Sequence, residues 1–419
     1  MTKEKAVTKK KRRFFGVSKK SDAAVSPANR KKRKSLIITA ALFAVAAILV
    51  ILYFTGAYDA LLMRLGLFRE KEVAAVGTFY EYTPKGTANT CVLDGNLLIC
   101  DESGVSAFNK DGVWQWNKEL TLVTPRFVQA GDKVLVVDIG GTGVHGFDGT
   151  GFLWSYNFDG KIIGACSKAA NDRAVILHEE DAYKSALTLL SFSGEAKAVA
   201  TRKFGEYHMI SAALSADGQQ FAASGIYSEA GKTASVITFL KTSGCEVFST
   251  ETQENEFLPV TAYLKDNILF AVGGDTIRRI VKASDTSTSG DGNEIVWERA
   301  GGSTRIVCTA MLGETYCIAV FGNAGAEAGM EASCTVTLYD TAGKEVRSFQ
   351  TEGGIKGIRG MGKTLALYTE NEVMVYNIYG QLIGRYDAVS EISDVDFLSE
   401  RVLTVCGLSK IARVDFSGK

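Results

Sequence analysis

A short phrase recurs along this chain, and its period constrains the fold more than any other feature. A strand ending in an aromatic runs into a polar, glycine-containing turn, and a second, often aromatic, strand follows. The first copy is Val105-Ser-Ala-Phe-Asn-Lys-Asp-Gly-Val-Trp-Gln-Trp116. Others lie at Val144–Tyr156, Leu189–Glu195, Ile237–Phe248, Val336–Val346 and Val373–Ile383, with a degraded copy at Asp291–Trp297. A pair of strand-like runs precedes each copy, such as Thr90–Leu93 with Leu97–Cys100. Apolar and aromatic runs broken by Gly, Asp and Asn, with little helical periodicity, mark an all-β chain. Four strands per unit, at a period of about 35–49 residues, are the signature of a β-propeller. One four-stranded sheet cannot bury both its faces, whereas sheets stacked around an axis bury each other and leave only short edges. Unit starts are expected near residues 90, 125, 163, 211, 259, 306, 355 and 393. The eighth unit, Asp394 to Phe416, has room for three strands, and Val76–Tyr82 upstream can supply the fourth. Eight blades are expected; seven is the alternative, because the third to fifth units are irregular.

Upstream of the repeats, an uncharged apolar run, Leu36–Phe54, follows the basic block Arg30–Lys34. Nineteen helical residues span roughly 28 Å, close to the thickness of a bilayer core. A net charge of zero hides an asymmetry: residues 1–35 hold 14 Lys and Arg against two acids, a net of +12, and the remainder carries −12. Basic residues flanking a span stay cytoplasmic. The expected layout is a disordered basic tail (1–35), one transmembrane helix acting as a signal anchor (36–56), an amphipathic juxtamembrane segment (57–75) and a propeller outside the plasma membrane (76–419). A cleaved signal peptide is the rival reading, though its apolar region would be about 7–15 residues long. The basic blocks also suit nuclear import or RNA binding. Contact with anionic lipid, worth about 1 kcal/mol per basic residue, explains them more simply, and no nucleic-acid partner is expected.

Over about residues 76–416, the phrase apolar-Asp-x-x-Gly-x-apolar-x-Trp resembles the repeat of the quinoprotein-like (PQQ-type) and YVTN/WD40-like propellers. The Gly-His and Trp-Asp pairs of true WD40 repeats are missing. The quinoprotein likeness implies a cofactor cavity with metal-binding acids, and no residues here can be assigned to those positions. Basic tail, single span and outer propeller together resemble an uncharacterised family of membrane-anchored propeller proteins of Firmicutes, a likeness that implies location rather than activity.

No catalytic constellation emerges, and neither catalysis nor a cofactor is expected. Gly141-Thr-Gly-Val-His-Gly146 matches Gly-x-Gly-x-x-Gly, but a dinucleotide site needs a helix after the glycines and a strand pattern follows instead, so a blade turn is expected. His145, His178 and His208 fall in different units without metal-ligand spacing. Cys91/Cys100 and Cys308/Cys317 share a spacing of nine. Hairpin turns at Gly95-Asn96 and Leu312-Gly313 would set each pair opposite, as possible disulfides; the alternative is that all eight cysteines are small buried hydrophobes.

The better functional lead is a set of insertions between the second and third strands of units three, four and six: 179–185, 227–233 and 323–333. Their candidate partner-binding residues are Glu179, Glu180, Asp181, Tyr183, Tyr227, Glu229, Glu327, Met330 and Glu331. Such insertions share a face with the connections between blades, and they are either a docking surface or tolerated surface variation. The expected function is a non-catalytic binding scaffold for an extracytoplasmic protein, peptide or envelope polymer. The alternative is a small-ligand sensor or a propeller enzyme using the central channel. A third reading makes the basic tail the working end.

Overall fold

The turns of the repeated phrase are where sequence becomes shape. Asn109 Oδ1 accepts the backbone N–H groups of Asp111 and Val113, both at 2.9 Å. Asp340 Oδ1 does the same for Ala342 and Lys344, and Asn377 Oδ1 for Tyr379 and Gln381. Gly112, Gly343 and Gly380 close these turns with φ of 78°, 77° and 79°, a conformation that costs any residue with a Cβ. Each turn reverses the chain from the third to the fourth strand of a blade.

The computed structural model describes residues 71–416 apart from 73, 82–87, 169–171, 230–231, 283–290, 300–303, 324–332 and 409; of the preceding residues it describes only Phe43 and Ala47, both helical. Among the described residues no helix is long and apolar enough to cross a membrane; the apolar run 36–54, save those two positions, lies outside them.

The described strands form eight sheets, each antiparallel among its four blade strands and ordered from the innermost strand outward. The innermost strands begin at Asn89, Pro125, Ile162, His208, Val260, Thr304, Gly357 and Ile392, within a few residues of the expected unit starts. The eighth blade takes its outermost strand from far upstream: Ala74–Glu81 pairs antiparallel with Lys410–Asp415. Lys71–Glu72 pairs parallel with the outer strand of blade 7. Blade 8 meets blade 1 through Cys406 and Ile411 packed with Leu97, Ile99 and Phe108. Thr90 and Thr404 hydroxyls lie 3.4 Å apart across that junction.

Middle strands are covered on both faces by neighbouring blades and read as unbroken apolar runs. Val134 to Val137 are wholly buried. Each such side chain contributes roughly 1.5–3 kcal/mol of burial. Outer strands are mostly exposed, and their aromatics reach across to the next blade. Trp116 stacks on Phe147 at 5.8 Å, Trp154 meets Phe192 at 6.0 Å, Trp297 meets Phe321 at 4.7 Å and Phe349 meets Tyr376 at 5.0 Å. The glycine motif serves one of these latches. Gly141–Gly146 forms a blade turn and the start of a strand, and the Trp154 ring lies where a side chain on Gly146 would have to go.

Blades 3 and 4 pack Phe204 and Phe248 into clusters shared with the next blade and add a second kind of join. The buried Ser185 hydroxyl donates to the Tyr207 carbonyl at 2.9 Å and accepts from the Met209 N–H at 3.0 Å. Ser235 repeats this with Glu256 and Leu258, at 3.0 and 2.9 Å. In both places a serine of the third strand clamps the connection into the next blade.

Candidate functional site

Two surfaces carry the candidate chemistry: one face of blades 3 and 4, and the central channel. The first is built by long strands. In blade 3, Arg173–Glu180 and Tyr183–Ser191 are joined by a two-residue turn in which Ala182 has a φ of 65°. In blade 4, Gln220–Glu229 and Lys232–Lys241 pair along their full lengths, from Gln220 opposite Lys241 to Glu229 opposite Lys232. The segments expected as loops at 179–185 and 227–233 are therefore hairpin arms. Their polar residues continue the strand pairing instead of leaving it, which composition alone does not reveal.

Along the blade 3 arm, Glu179 and Asp181 are exposed. Glu180 holds Lys203 Nζ at 2.7 Å, and the same ammonium lies 5.4 Å from the ring centre of Tyr183, which is 46% exposed. Tyr227 of the blade 4 arm meets Tyr207 of the intervening connection edge-on at 6.0 Å, and Tyr207 is 6.3 Å from Phe204. The fold thus joins the two arms through Tyr207 and the Ser185 clamp, residues absent from the sequence-based set. Glu229 is placed by its backbone alone, and Glu327, Met330 and Glu331 lie outside the described residues.

The proposed cysteine pairs are corrected by register. Asp94-Gly95, with φ of 50° and 76°, makes the hairpin turn one residue earlier than expected, as suits an Asp-Gly pair. Cys91 therefore faces Leu98, and Cys100 faces Asn89. A three-residue turn at 313–315 likewise sets Cys317 against Met311 and Cys308 against Val320. All eight cysteines are free, six buried and two half-buried. Burial pushes the Cys91 thiol up to about 12 and raises Cys100, Cys317 and Cys406 as well.

The histidines stay apart. His145 Nδ1 is 2.7 Å from the Ser155 hydroxyl, and buried His178 bonds Thr188 at 2.9 Å and the Glu179 carbonyl at 2.8 Å, while His208 is exposed. Among the described residues no group of His, Cys, Asp or Glu is arranged to hold a metal ion.

Four innermost strands, those of blades 7, 8, 1 and 2, border a channel cavity of about 310 Å³. Arg359 Nη2 donates to Asp394 Oδ1 at 2.8 Å. Asp396, two residues on, accepts the Phe397 N–H at 2.8 Å. Burial lifts the Asp396 carboxyl to about 6, helped by the charge of Asp394. Burial also raises Asp394, against the pull of Arg359. Arg126 and Gln129 reach the same cavity from blade 2.

These features define an eight-bladed β-propeller. The chain belongs to the family of unknown function DUF5711, whose family model matches residues 69–416. No curated protein matches it in sequence. Its fold is similar to that of BamB from Moraxella catarrhalis (12% identity, 82% of this chain and 99% of that one, TM-score 0.53). It is also similar to the C-terminal WD40 domain of Sif2 (13% identity, 84% and 100%, TM-score 0.57). A third similar structure is Sqt1 from Chaetomium thermophilum bound to the N-terminus of the ribosomal protein L10 (9% identity, 82% and 100%, TM-score 0.58).

Proposed function

We propose that this protein is a membrane-anchored, non-catalytic propeller that docks a protein, peptide or envelope polymer outside the plasma membrane. In this reading residues 1–35 are the cytoplasmic tail resting on anionic lipid, 36–56 the span, 57–75 the juxtamembrane segment and 76–419 the outer part. The +12 of the tail beside the apolar run supports that orientation. The docking role rests on one observation: the paired arms of blades 3 and 4, with exposed Tyr183 beside the Glu180–Lys203 pair and Tyr227 against Tyr207. Tyrosines and charges held on rigid strands suit a partner surface, because little side-chain freedom is lost on binding. Sqt1, of similar fold, is itself bound to a ribosomal protein N-terminus.

Crosslinking on intact cells with a membrane-impermeant amine reagent tests both parts. Specific envelope proteins attached through Lys184 or Lys203 are the expected outcome. Strong modification with no attached partner would remove the docking role and leave the orientation. A chain that stays unmodified would overturn the orientation itself.

A further inference from the structure

The channel cavity carries chemistry that docking on the arms does not use. Its wall holds four charged side chains, and two of them, Arg359 and Asp394, neutralise each other. The other two form no direct ion pair, and their opposite charges act only at longer range, Arg126 on Asp394 and Arg359 on Asp396. Arg126 is largely exposed to the cavity, and its guanidinium has no ion-pair or hydrogen-bond partner among the described residues. Asp396 meets no cation within ion-pairing distance there, and the backbone N–H of Phe397 is its side chain's one hydrogen-bond donor. The innermost strand of blade 1, Asn89–Leu93, runs between their two strands, so they border one cavity without pairing.

A wall that left these charges for structural reasons alone would gain by pairing them, as it pairs Arg359 with Asp394. A lone anion would satisfy Arg126 and leave Asp396 desolvated; a lone cation would do the reverse. A molecule bearing both charges satisfies both. We propose that the channel binds a small zwitterion, an amino acid or short peptide, with its carboxylate on Arg126 and its ammonium on Asp396. Gln129, beside Arg126 on the cavity wall, offers a further donor and acceptor. The cavity volume suits a ligand of this size. This site is separate from the arms and stands whether or not they dock a partner.

The test is calorimetric titration of the full chain in detergent near neutral pH. Glycine, glutamate, lysine and dialanine serve as zwitterionic probes, with acetate and methylammonium as the two half-ligands. At least one zwitterion should bind about tenfold or more tightly than either half-ligand. Arg126→Gln and Asp396→Asn should each weaken it by about tenfold or more, whereas Lys203→Gln on the arm should leave it unchanged. Circular dichroism and a thermal midpoint for each variant separate lost binding from lost folding; if Arg126→Gln fails to fold, Arg126→Met replaces it. Binding of no zwitterion, binding of acetate as tight as any zwitterion, or full affinity in the folded Asp396→Asn chain would each overturn the proposal.

Discussion

Two kinds of junction hold this ring together. Blades 1, 2, 5 and 6 stack an aromatic of the outer strand on a ring of the next blade, whereas blades 3 and 4, whose Phe204 and Phe248 pack into apolar clusters shared with the next blade, add a buried serine hydroxyl. An aromatic latch gains from area and demands a matching gap, as at Gly146 beneath Trp154. A serine clamp adds little area but fixes two backbone groups in one geometry. The clamped junctions are also those whose blades carry the long arms. Clamp and display therefore share the same blades, with Ser185 at the base of the blade 3 arm.

The sharpest way to break this comparison is to remove a latch. Trp154→Ala should cost about 3–5 kcal/mol in denaturant unfolding, because the buried ring leaves a cavity against Phe192. A loss below about 1 kcal/mol would mean that the latch is incidental to the junction.

The next effect has the opposite sign and lies where the ring closes. The folded chain holds the Asp396 carboxyl at about 6, mainly through burial. The unfolded value is about 3.9. Between these values the folded state binds more protons, so this group's contribution to stability falls as pH rises from about 4 to about 6. Asp396→Asn should remove that slope and stabilise the protein at neutral pH by about 3 kcal/mol at most. Thermal midpoints of both chains across that range check it; parallel curves would contradict it.

Ser185→Ala should cost about 1–3 kcal/mol, by leaving the Met209 N–H and the Tyr207 carbonyl without their shared partner. Ser185→Thr keeps a hydroxyl and separates hydrogen bonding from volume. Equal losses in the two variants would show that space, and not the clamp, decides the position.

The smallest change in stability belongs to the arms. Glu180→Lys with Tyr183→Ala should move the unfolding midpoint by no more than about 0.5 kcal/mol while abolishing crosslinked partners. Retained partner recovery with these changes would sink the docking surface.

Much of this architecture was legible in the chain because turns are local. An Asn or Asp bonding its own successors, and a glycine at positive φ, mark the phrase in blades 1, 6 and 7, and its period carries the unit starts through the rest. The arms were legible in place but not in form: Glu180 and Tyr183 look like loop residues until their pairing across the turn is seen. The serine clamps leave no mark that a reader could separate from any other serine, since their meaning lies some twenty residues downstream. The channel charges are harder still. Arg126, Arg359 and Asp396 are far apart in sequence, and only ring closure brings them to one wall.

That closure has a consequence in time. The strand Ala74–Glu81 is among the first parts of the propeller to leave the ribosome, and its partner Lys410–Asp415 is among the last. Through nearly all of synthesis the early strand therefore has no mate. The outer edge of blade 8 can be covered only once the C-terminal residues arrive. A chain stopped a few dozen residues short would hold most of its blades yet present two raw sheet edges, each a template for joining another such chain. Completion of the last blade thus joins the two ends of the propeller segment in a single sheet.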